Sequence, residues 1–197
     1  MNSSLKIKVI IGSTRQNRFS EKPAKWIFEQ IKSIEGVSAE LLDLRDYPMP
    51  FFEEPVSPSS AKEPYKNPIV QKWTAKIVEA DAFIVVTPEY NHGYPAVLKN
   101  AFDYVFSAWN KKPIAFISYG SAGGARSIEQ LRQVVIELQM APLRQAIHIF
   151  GAQYAEIAKE VPGAKPSAFD AIKSSADKLI EQLVWWAKAL KTAREQK

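Results

Sequence analysis

The sequence contains no cysteine and only two histidines among its 197 residues. The absence of cysteine excludes disulfides, thiolate catalysis and cysteine-ligated metal sites. His92 and His148 are too few and too far apart in sequence to indicate a metal cluster, so no metal site is predicted. A G-x-S-x-G segment, which marks the nucleophile of α/β hydrolases, is also missing. Catalysis by a nucleophile or metal centre of the chain itself is therefore poorly supported.

Long apolar runs and basic blocks are missing as well. No run approaches the roughly 18 apolar residues of a membrane span, and the N-terminus lacks the apolar length of a signal peptide. We therefore expect no membrane partner and a cytoplasmic location. The net charge is +5, but lysine and arginine are scattered, so no nucleic-acid partner is predicted. The length fits a single domain over residues 1–197.

Short apolar segments rich in β-branched residues alternate with segments of helical periodicity. We predict strands at residues 5–11, 37–44, 82–86, 114–118 and 146–150. Helices are predicted between residues 20 and 36, at 69–80, at 95–106, after residue 124 and at 169–193. This alternation predicts an α/β fold, a flavodoxin-like three-layer sandwich with a five-stranded parallel sheet in the order 2-1-3-4-5.

Proline and glycine set several of the predicted boundaries. Residues 45–68 are rich in proline and are predicted to be irregular, with a role such as covering a site. Residues 161–166 are predicted to be a connector. Pro142 is expected to end a helix, and Gly151 to end the last strand. Trp186 is placed on the inner face of the last helix.

Three unusual loops follow strands one, three and four, at residues 12–20, 87–94 and 119–126. In the predicted strand order, the carboxyl ends of these strands lie side by side around the switch point. Ligands of open α/β sheets bind at that place. The sequence therefore predicts one ligand site formed by the three loops.

The first loop carries groups that suit a phosphate. It contains the hydroxyls of Ser13 and Ser20, the guanidinium groups of Arg15 and Arg18, and the free N–H groups of a helix N-terminus. The loop matches neither G-x-G-x-x-G nor the NTPase P-loop. An ordinary capped turn with solvated arginines is the alternative explanation.

The other two loops suit a planar heterocycle. The second loop, P-E-Y-N, places an aromatic ring and an amide next to exposed backbone, and the glycines of the third would let backbone approach a flat ligand closely. A tight turn before a helix and plain packing of Tyr90 are the alternatives for these residues. An exposed loop position for His92 and a strand position for His148 are expected.

Three segments, in this order and spacing, resemble the NADPH-dependent FMN reductase family. They are I-I-G-S-T-R-Q-N-R-F-S, T-P-E-Y-N-H-G-Y-P-A-V-L-K-N-A-F-D and S-Y-G-S-A-G-G-A-R-S. The resemblance covers residues 6–150, and the second segment is its strongest part. It implies a flavodoxin-like enzyme that binds FMN and uses NADPH or NADH as electron donor.

The resemblance also implies roles for individual residues. Ser13, Arg15 and Ser20 would hold the FMN phosphate, with Arg18 nearby. The ribityl chain and isoalloxazine would be lined by Pro88, Glu89, Tyr90 and Asn91. The pyrimidine edge would be bordered by Ser121, Gly123 and Gly124. No catalytic side chain is implied, because the cofactor carries the chemistry.

The implied reaction moves a hydride from NAD(P)H to the flavin and electrons onward to a small acceptor such as a quinone, azo compound, free flavin or metal oxyanion. The resemblance further implies a homodimer or homotetramer, with contacts expected at residues 95–106 and in the proline-rich stretch. A flavodoxin-type electron carrier and a non-catalytic regulatory protein are the alternatives. Arginines in the first loop and the net charge of +5 favour the enzyme over the carrier.

Overall fold

The computed structural model of the protein describes residues 4–61, 65–160 and 167–196. The strands are β1 (Leu5–Ile11), β2 (Val37–Asp43), β3 (Ala82–Pro88), β4 (Pro113–Tyr119) and β5 (Ala141–Ile149). The helices are α1 (Glu21–Lys32), α2 (Pro68–Glu79), α3 (Ala96–Asp103), α4 (Ala125–Glu137), α5 (Gly151–Lys159) and α6 (Lys173–Glu195). The predicted connector at 161–166 lies outside the described residues, as does Pro64 of the proline-rich stretch.

The strands form one parallel sheet in the order β2-β1-β3-β4-β5, which confirms the predicted topology. The register places the carboxyl ends of the central strands level with one another. Ile11 pairs with Asp43 of β2 and with Val86 of β3, and Pro88 of β3 pairs with Tyr119 of β4. The loops that follow β1, β3 and β4 therefore begin at the same edge of the sheet.

Helices cover both faces of the sheet, which gives the three predicted layers. Successive side chains of β3 point to opposite faces, so Ile84 belongs to one apolar core and Val85 to the other. One core contains buried side chains of α1, α5 and α6, and the other contains those of α2, α3 and α4. A strand buried on both faces accounts for the continuous apolar run that made β3 recognisable.

The last strand is longer than predicted, and Pro142 lies inside it instead of ending a helix. The strand begins at Ala141, whereas residue 146 was the predicted start. The register of β4 and β5 shifts between Ile114 and Phe116, directly after the pairing of Pro142 with Ile114. Proline cannot donate to a ladder, so sheets accept it at edge strands and irregularities. Both conditions hold at Pro142, because β5 is an edge strand.

Gly151 does not simply end the last strand; it begins α5, a helix that was not predicted. This helix has nine residues, and Ile157 is its buried one. A helix with so little apolar periodicity leaves a weak signal in the sequence. Gly151 has a φ of 58° at the turn from β5 into α5, where glycine is the least strained residue.

Trp186 does not have its predicted burial, because it is 41% exposed although it was placed on the inner face of the last helix. That helix begins at Lys173, four residues after its predicted start, and Leu179, Leu183 and Ala187 are buried on its inner face. Trp109, by contrast, is fully buried in a short 3-10 helix at Ser107–Trp109.

In its described residues the proline-rich stretch is irregular as predicted, apart from a 3-10 turn at Leu44–Asp46 and from Pro68, which begins α2. Asn100 of α3 attaches it to the body of the protein. The amide of Asn100 donates to the carbonyl of Pro50 at 2.7 Å and accepts from the backbone N–H of Phe52 at 2.8 Å. These bonds leave Phe51 facing outward, with 75% of its surface exposed.

Candidate functional site

The three loops enclose an open cleft of about 410 Å³ at the carboxyl edge of the sheet. Its lining residues are Arg15, Pro88, Glu89, Tyr90, Tyr119, Gly120, Ser121, Gly151 and Tyr154. Five of these nine were predicted as site residues from the sequence. The first two loops are joined directly, because Ser13 Oγ and the Tyr90 hydroxyl lie 2.9 Å apart.

Arg18 is buried and acts within the first loop. Its guanidinium donates to the carbonyl of Ser13 at 2.6 Å and to Asp43 Oδ1 at 2.7 Å, with a further contact to Asp43 Oδ2. Burial alone would raise the pKa of Asp43, but the bonds from Arg18 and from the Arg45 N–H hold it below its ordinary value. Asp43 thus neutralises the charge of Arg18, and the bond from Arg18 to the Ser13 carbonyl holds the first loop in shape. The buried Nε of Arg18 has no hydrogen-bond partner among the described residues.

Arg15 lies at the mouth of the cleft with its charge available. Its guanidinium carbon is 5.8 Å from the centre of the Tyr90 ring, within the range of a cation–π contact. In the described part of the chain, its side chain makes no ion pair or hydrogen bond. Arg15 is thus the arginine of the first loop that can meet an anionic ligand.

Ser20 precedes α1 but does not cap it with its side chain. The residue is fully buried, and its Oγ has no hydrogen-bond partner among the described residues. Its backbone N–H donates to the hydroxyl of Tyr119 at 3.1 Å. A buried hydroxyl without a partner is costly, so this position calls for an explanation.

The second loop contains a two-residue hairpin. The N–H and carbonyl groups of Tyr90 and Gly93 bond to each other at 2.8 and 3.0 Å. Asn91 and His92 between them have φ values of 49° and 70°, the pattern of a type I′ turn. His92, expected to be an exposed loop residue, accepts at Nε2 from the Arg126 guanidinium at 2.9 Å.

Glu89 connects this hairpin to the start of α4. Its side chain is 5% exposed, and its carboxylate accepts from Arg126 Nε at 2.6 Å and from the Arg126 backbone N–H at 3.2 Å. Burial would raise the pKa of Glu89, but the hydrogen bond and charge of Arg126 outweigh it and lower the pKa. Glu89 therefore stays ionised and paired. Arg126 was missed from the sequence, although it directly follows the glycine-rich turn.

The third loop folds back onto its own sheet. A Cβ on Gly124 would lie 2.6 Å from Ser118 Cβ, and a Cβ on Gly123 would lie 2.9 Å from Phe150 Cδ1. Both glycines have positive φ, at 64° for Gly123 and 73° for Gly124. Neither lines the cleft, whereas Gly120 and Ser121 do. The fold of the loop therefore requires both glycines, and their predicted contact with a flat ligand stays a prediction.

A buried polar pair holds the same loop from below. Ser118 Oγ donates to the carbonyl of Gly123 at 2.6 Å, and His148 Nδ1 lies 3.1 Å from Ser118 Oγ and 3.3 Å from that carbonyl. Because both neighbours of Nδ1 can accept, we assign the ring proton of His148 to Nδ1. His148 lies in β5 as expected and supports the loop.

Four cleft residues were not predicted as site residues: Tyr119, Gly120, Gly151 and Tyr154. Tyr119 and Gly120 directly follow a predicted strand, so their position at the edge of the sheet was the available signal. Gly151 and Tyr154 belong to the helix that was missed. The rings of Tyr119 and Tyr154 pack on Phe19, with centroids 4.7 and 4.3 Å from it.

The described residues were also searched for other kinds of site. No group of three or more histidine, cysteine, aspartate or glutamate side chains among them could hold a metal ion. None of the helices they form combines the length and the apolar character needed to cross a bilayer.

Comparison with known proteins identifies the family. Residues 5–154 match the family model described as NADPH-dependent FMN reductase. This chain belongs to that family. It is 39% identical over 144 residues to an NAD(P)H-dependent FMN reductase of Schizosaccharomyces pombe, with 72% of each chain covered. It is 30% identical over 147 residues to a quinone reductase of Pseudomonas putida, covering 71% of this chain and 74% of that one.

Solved structures agree on the fold. The flavoenzyme NAD(P)H:(acceptor) oxidoreductase FerB of Paracoccus denitrificans superimposes with a TM-score of 0.67 at 21% identity, covering 95% of this chain and 98% of that one. Membership of the FMN reductase family confirms the prediction of an oxidoreductase that uses FMN and NAD(P)H. Membership of this family also indicates that the electron acceptor is a small molecule.

The cleft of this family member fits FMN in its chemistry. Considering the described residues alone, the first loop presents an unpaired arginine, Arg15, together with two buried polar atoms that lack partners, Ser20 Oγ and Arg18 Nε. Such donors suit a phosphate at the N-terminus of α1. Next to them, Tyr90 and the backbone at Gly120 and Ser121 offer aromatic and hydrogen-bonding surface to a ring.

Replacing Gly124 by alanine tests whether the third loop needs close packing. Gly36 is a matched control, because its φ is 74° and nothing lies within 4 Å of its Cβ position. Gly36→Ala should cost about 1–2 kcal/mol for the left-handed conformation. Gly124→Ala should cost about 1–3 kcal/mol more, because its Cβ would overlap Ser118. Urea unfolding measures both, and equal losses would contradict the packing explanation.

Replacing Arg126 by methionine tests the ion pair with Glu89. It should lower the free energy of unfolding by about 1–3 kcal/mol at neutral pH, less than for a fully buried pair because Arg126 is partly exposed. Adding Glu89→Gln should recover part of this loss, since no buried charge then lacks a partner.

The pH dependence of this loss follows from the lowered pKa of Glu89 in the native protein. A lowered carboxyl pKa stabilises the fold above the unfolded value of 4.5, and the effect disappears as the pH falls through the folded value. The deficit of Arg126→Met should therefore shrink as the pH falls through 4.5. A deficit that stays constant between neutral and acid pH would contradict the role given to Glu89.

Proposed function

We propose that this protein is an NAD(P)H:quinone reductase that holds FMN in the cleft between the loops after β1, β3 and β4. The overall reaction would be NAD(P)H + H⁺ + quinone → NAD(P)⁺ + hydroquinone. Bound FMN supplies the two-electron chemistry, because it takes up a hydride and passes the electrons on. The observation that carries the proposal is the cleft itself, where unpaired donors lie beside aromatic and backbone surface.

The proposal assigns the two ends of the cofactor to different loops. Its phosphate would be held by Ser13, Arg15 and Ser20, while Arg18 would hold the loop in shape and could offer its unpartnered Nε. The ring and ribityl chain would lie along the remaining predicted residues: Pro88, Glu89, Tyr90, Asn91, Ser121, Gly123 and Gly124. In this arrangement Glu89, Gly123 and Gly124 act through backbone position, because the Glu89 carboxylate is paired and the two glycines pack on the sheet.

Two observations support a quinone as the acceptor. Several relatives are named for quinones, including a quinone reductase of Pseudomonas putida and an NADPH:quinone oxidoreductase of Arabidopsis thaliana. The cleft is open and is bordered by the rings of Tyr90 and Tyr154, which suit a flat aromatic molecule. Azo compounds, free flavins and metal oxyanions remain acceptors to be compared.

The chain's own residues would bind and orient the reactants without supplying an acid or base. The carboxylate next to the cleft, Glu89, is ionised and committed to Arg126. The one proton that the reaction consumes would therefore come from solvent, which the open cleft admits.

We also propose that the 197 residues form one FMN-binding domain, that the protein is cytoplasmic, and that it assembles as a homodimer or homotetramer. The exposed ring of Phe51, fixed beside α3 by the Asn100 hydrogen bonds, supports a subunit contact at this surface. Size-exclusion chromatography with light scattering of wild type and Phe51→Ser would test it; an unchanged mass for the variant would argue against this contact.

Stopped-flow reduction is the direct test of the proposed activity. Mixing the FMN-loaded protein with NADPH or NADH should bleach the flavin absorbance without any partner protein. Adding a quinone should then restore the absorbance faster than azo, flavin or oxyanion acceptors do. Failure of both nicotinamides to bleach the flavin would instead indicate an electron carrier or a non-catalytic protein.

Replacing Arg15 by alanine tests the phosphate end. We expect the FMN dissociation constant to rise by the equivalent of about 1.5–3 kcal/mol, because a charge-assisted hydrogen bond would be lost. Lys32→Ala is the control, since it removes the same charge from an exposed side chain at the far end of α1. Isothermal titration measures both, and equal FMN affinities for the two variants would remove the phosphate assignment.

A further inference from the structure

The start of α1 contains a buried polar group that the fold does not use. Ser20 is fully buried, and its Oγ has no hydrogen-bond partner in the described part of the chain. The helix that follows has 12 residues, so its N-terminus carries a substantial positive partial charge. A buried hydroxyl without a partner at a helix N-terminus indicates that a ligand from outside the chain forms the missing hydrogen bond.

The hydroxyl of Tyr119 also lies at the start of α1. This tyrosine is the last residue of β4, is 7% exposed and lines the cleft. Its hydroxyl oxygen accepts from the Ser20 N–H at 3.1 Å, across 99 positions of sequence. The Ser20 side chain lies beside this hydroxyl and, like the Ser20 N–H, lowers the pKa of Tyr119 against the larger effect of burial. Among the described residues, the two hydroxyls do not meet in hydrogen-bonding geometry, so the proton of Tyr119 has no well-aligned acceptor there.

The hydroxyl of Tyr119 is held in place and keeps its proton. Its ring packs against Phe19, and Tyr154 lies against the same ring. Burial raises the pKa of Tyr119 to about 12. The group is therefore neutral over the physiological range, so it can donate to an anion instead of repelling it.

We propose that Tyr119 is a phosphate ligand: its hydroxyl receives the Ser20 N–H and donates its own proton to the FMN phosphate, next to Ser20 Oγ. This inference rests on the proposed FMN site, and it adds a ligand from the third loop to a phosphate site otherwise made by the first. A chain of two hydrogen bonds would link the helix N-terminus to the anion, and each bond would strengthen the other.

Nearby carboxylates do not oppose an anion here, because cations already pair with them. Asp43 is bonded to Arg18, and Glu21 is bonded to Lys25 at 2.7 Å with Arg18 at 3.8 Å. What remains free at the start of α1, among the described residues, is the hydroxyl of Ser20 beside the positive end of the helix. A hydroxyl that can donate and a helix N-terminus both favour a phosphate, which accepts hydrogen bonds and carries negative charge.

The test compares FMN with riboflavin, which lacks the phosphate and is otherwise identical. Dissociation constants of both ligands are measured for wild type, Tyr119→Phe and Ser20→Ala by quenching of flavin fluorescence. We expect Tyr119→Phe to weaken FMN about 10- to 100-fold, as for a lost hydrogen bond to a charged group, and to leave riboflavin within about twofold. Ser20→Ala should weaken FMN selectively as well, and it tests the site without altering the aromatic packing.

Tyr47→Phe is the matched control, because it removes the hydroxyl of another buried tyrosine that lies in the opposite core. It should change neither ligand's affinity. Equal weakening of FMN and riboflavin by Tyr119→Phe would mean that the residue only packs, and no weakening of FMN would mean that it makes no contact; both overturn the inference. Wild type that binds FMN and riboflavin equally would also overturn it while leaving flavin binding intact. Wild type that binds neither would remove the proposed function too.

Discussion

The parallel register of β1, β3 and β4 is the constraint on which the site depends. Ile11 pairs with Val86, and Pro88 pairs with Tyr119, so the three strands stop within about two residues of each other. Because parallel strands all point the same way, the loops that follow them must leave from one edge. Residues as far apart in sequence as Arg15 and Tyr119, 104 positions, are thereby brought into one cleft.

Ion pairs inside the loops then decide which charges remain for a ligand. Arg18 is paired with Asp43, and Glu89 is paired with Arg126. Each pair is partly buried and has hydrogen bonds at both partners, which is the condition under which such pairs are tolerated. After this pairing, Arg15 can still bind an anion in the cleft, whereas the Glu89 carboxylate is not available as an acid. A site with that balance favours anionic ligands and leaves proton transfer to water.

The sequence predicted the central sheet better than its margin for a physical reason. Strand β3 is buried on both faces and appears as an unbroken apolar run from Ala82 to Val86, and β1 is apolar apart from Lys6 and Lys8. At the edge, β5 tolerates Pro142 and pairs on one side, so the same rules misplace its start. The nine residues of α5 have one buried side chain, Ile157, which is too little periodicity to detect.

In the candidate site, too, residues were easier to predict when their role depends on their own loop. Arg15 and Tyr90 are examples, because a short segment of sequence shows the side chains that suit a ligand. The structural roles of Arg18, Glu89 and the two glycines depend on partners from other elements, which the sequence does not show. Such partners lie 25 to 37 positions away for the two ion pairs, and periodicity carries no record of them. Buried polar atoms without hydrogen-bond partners give a different kind of evidence, because they indicate where a ligand can bind. They can be identified only once the packing of the chain is known.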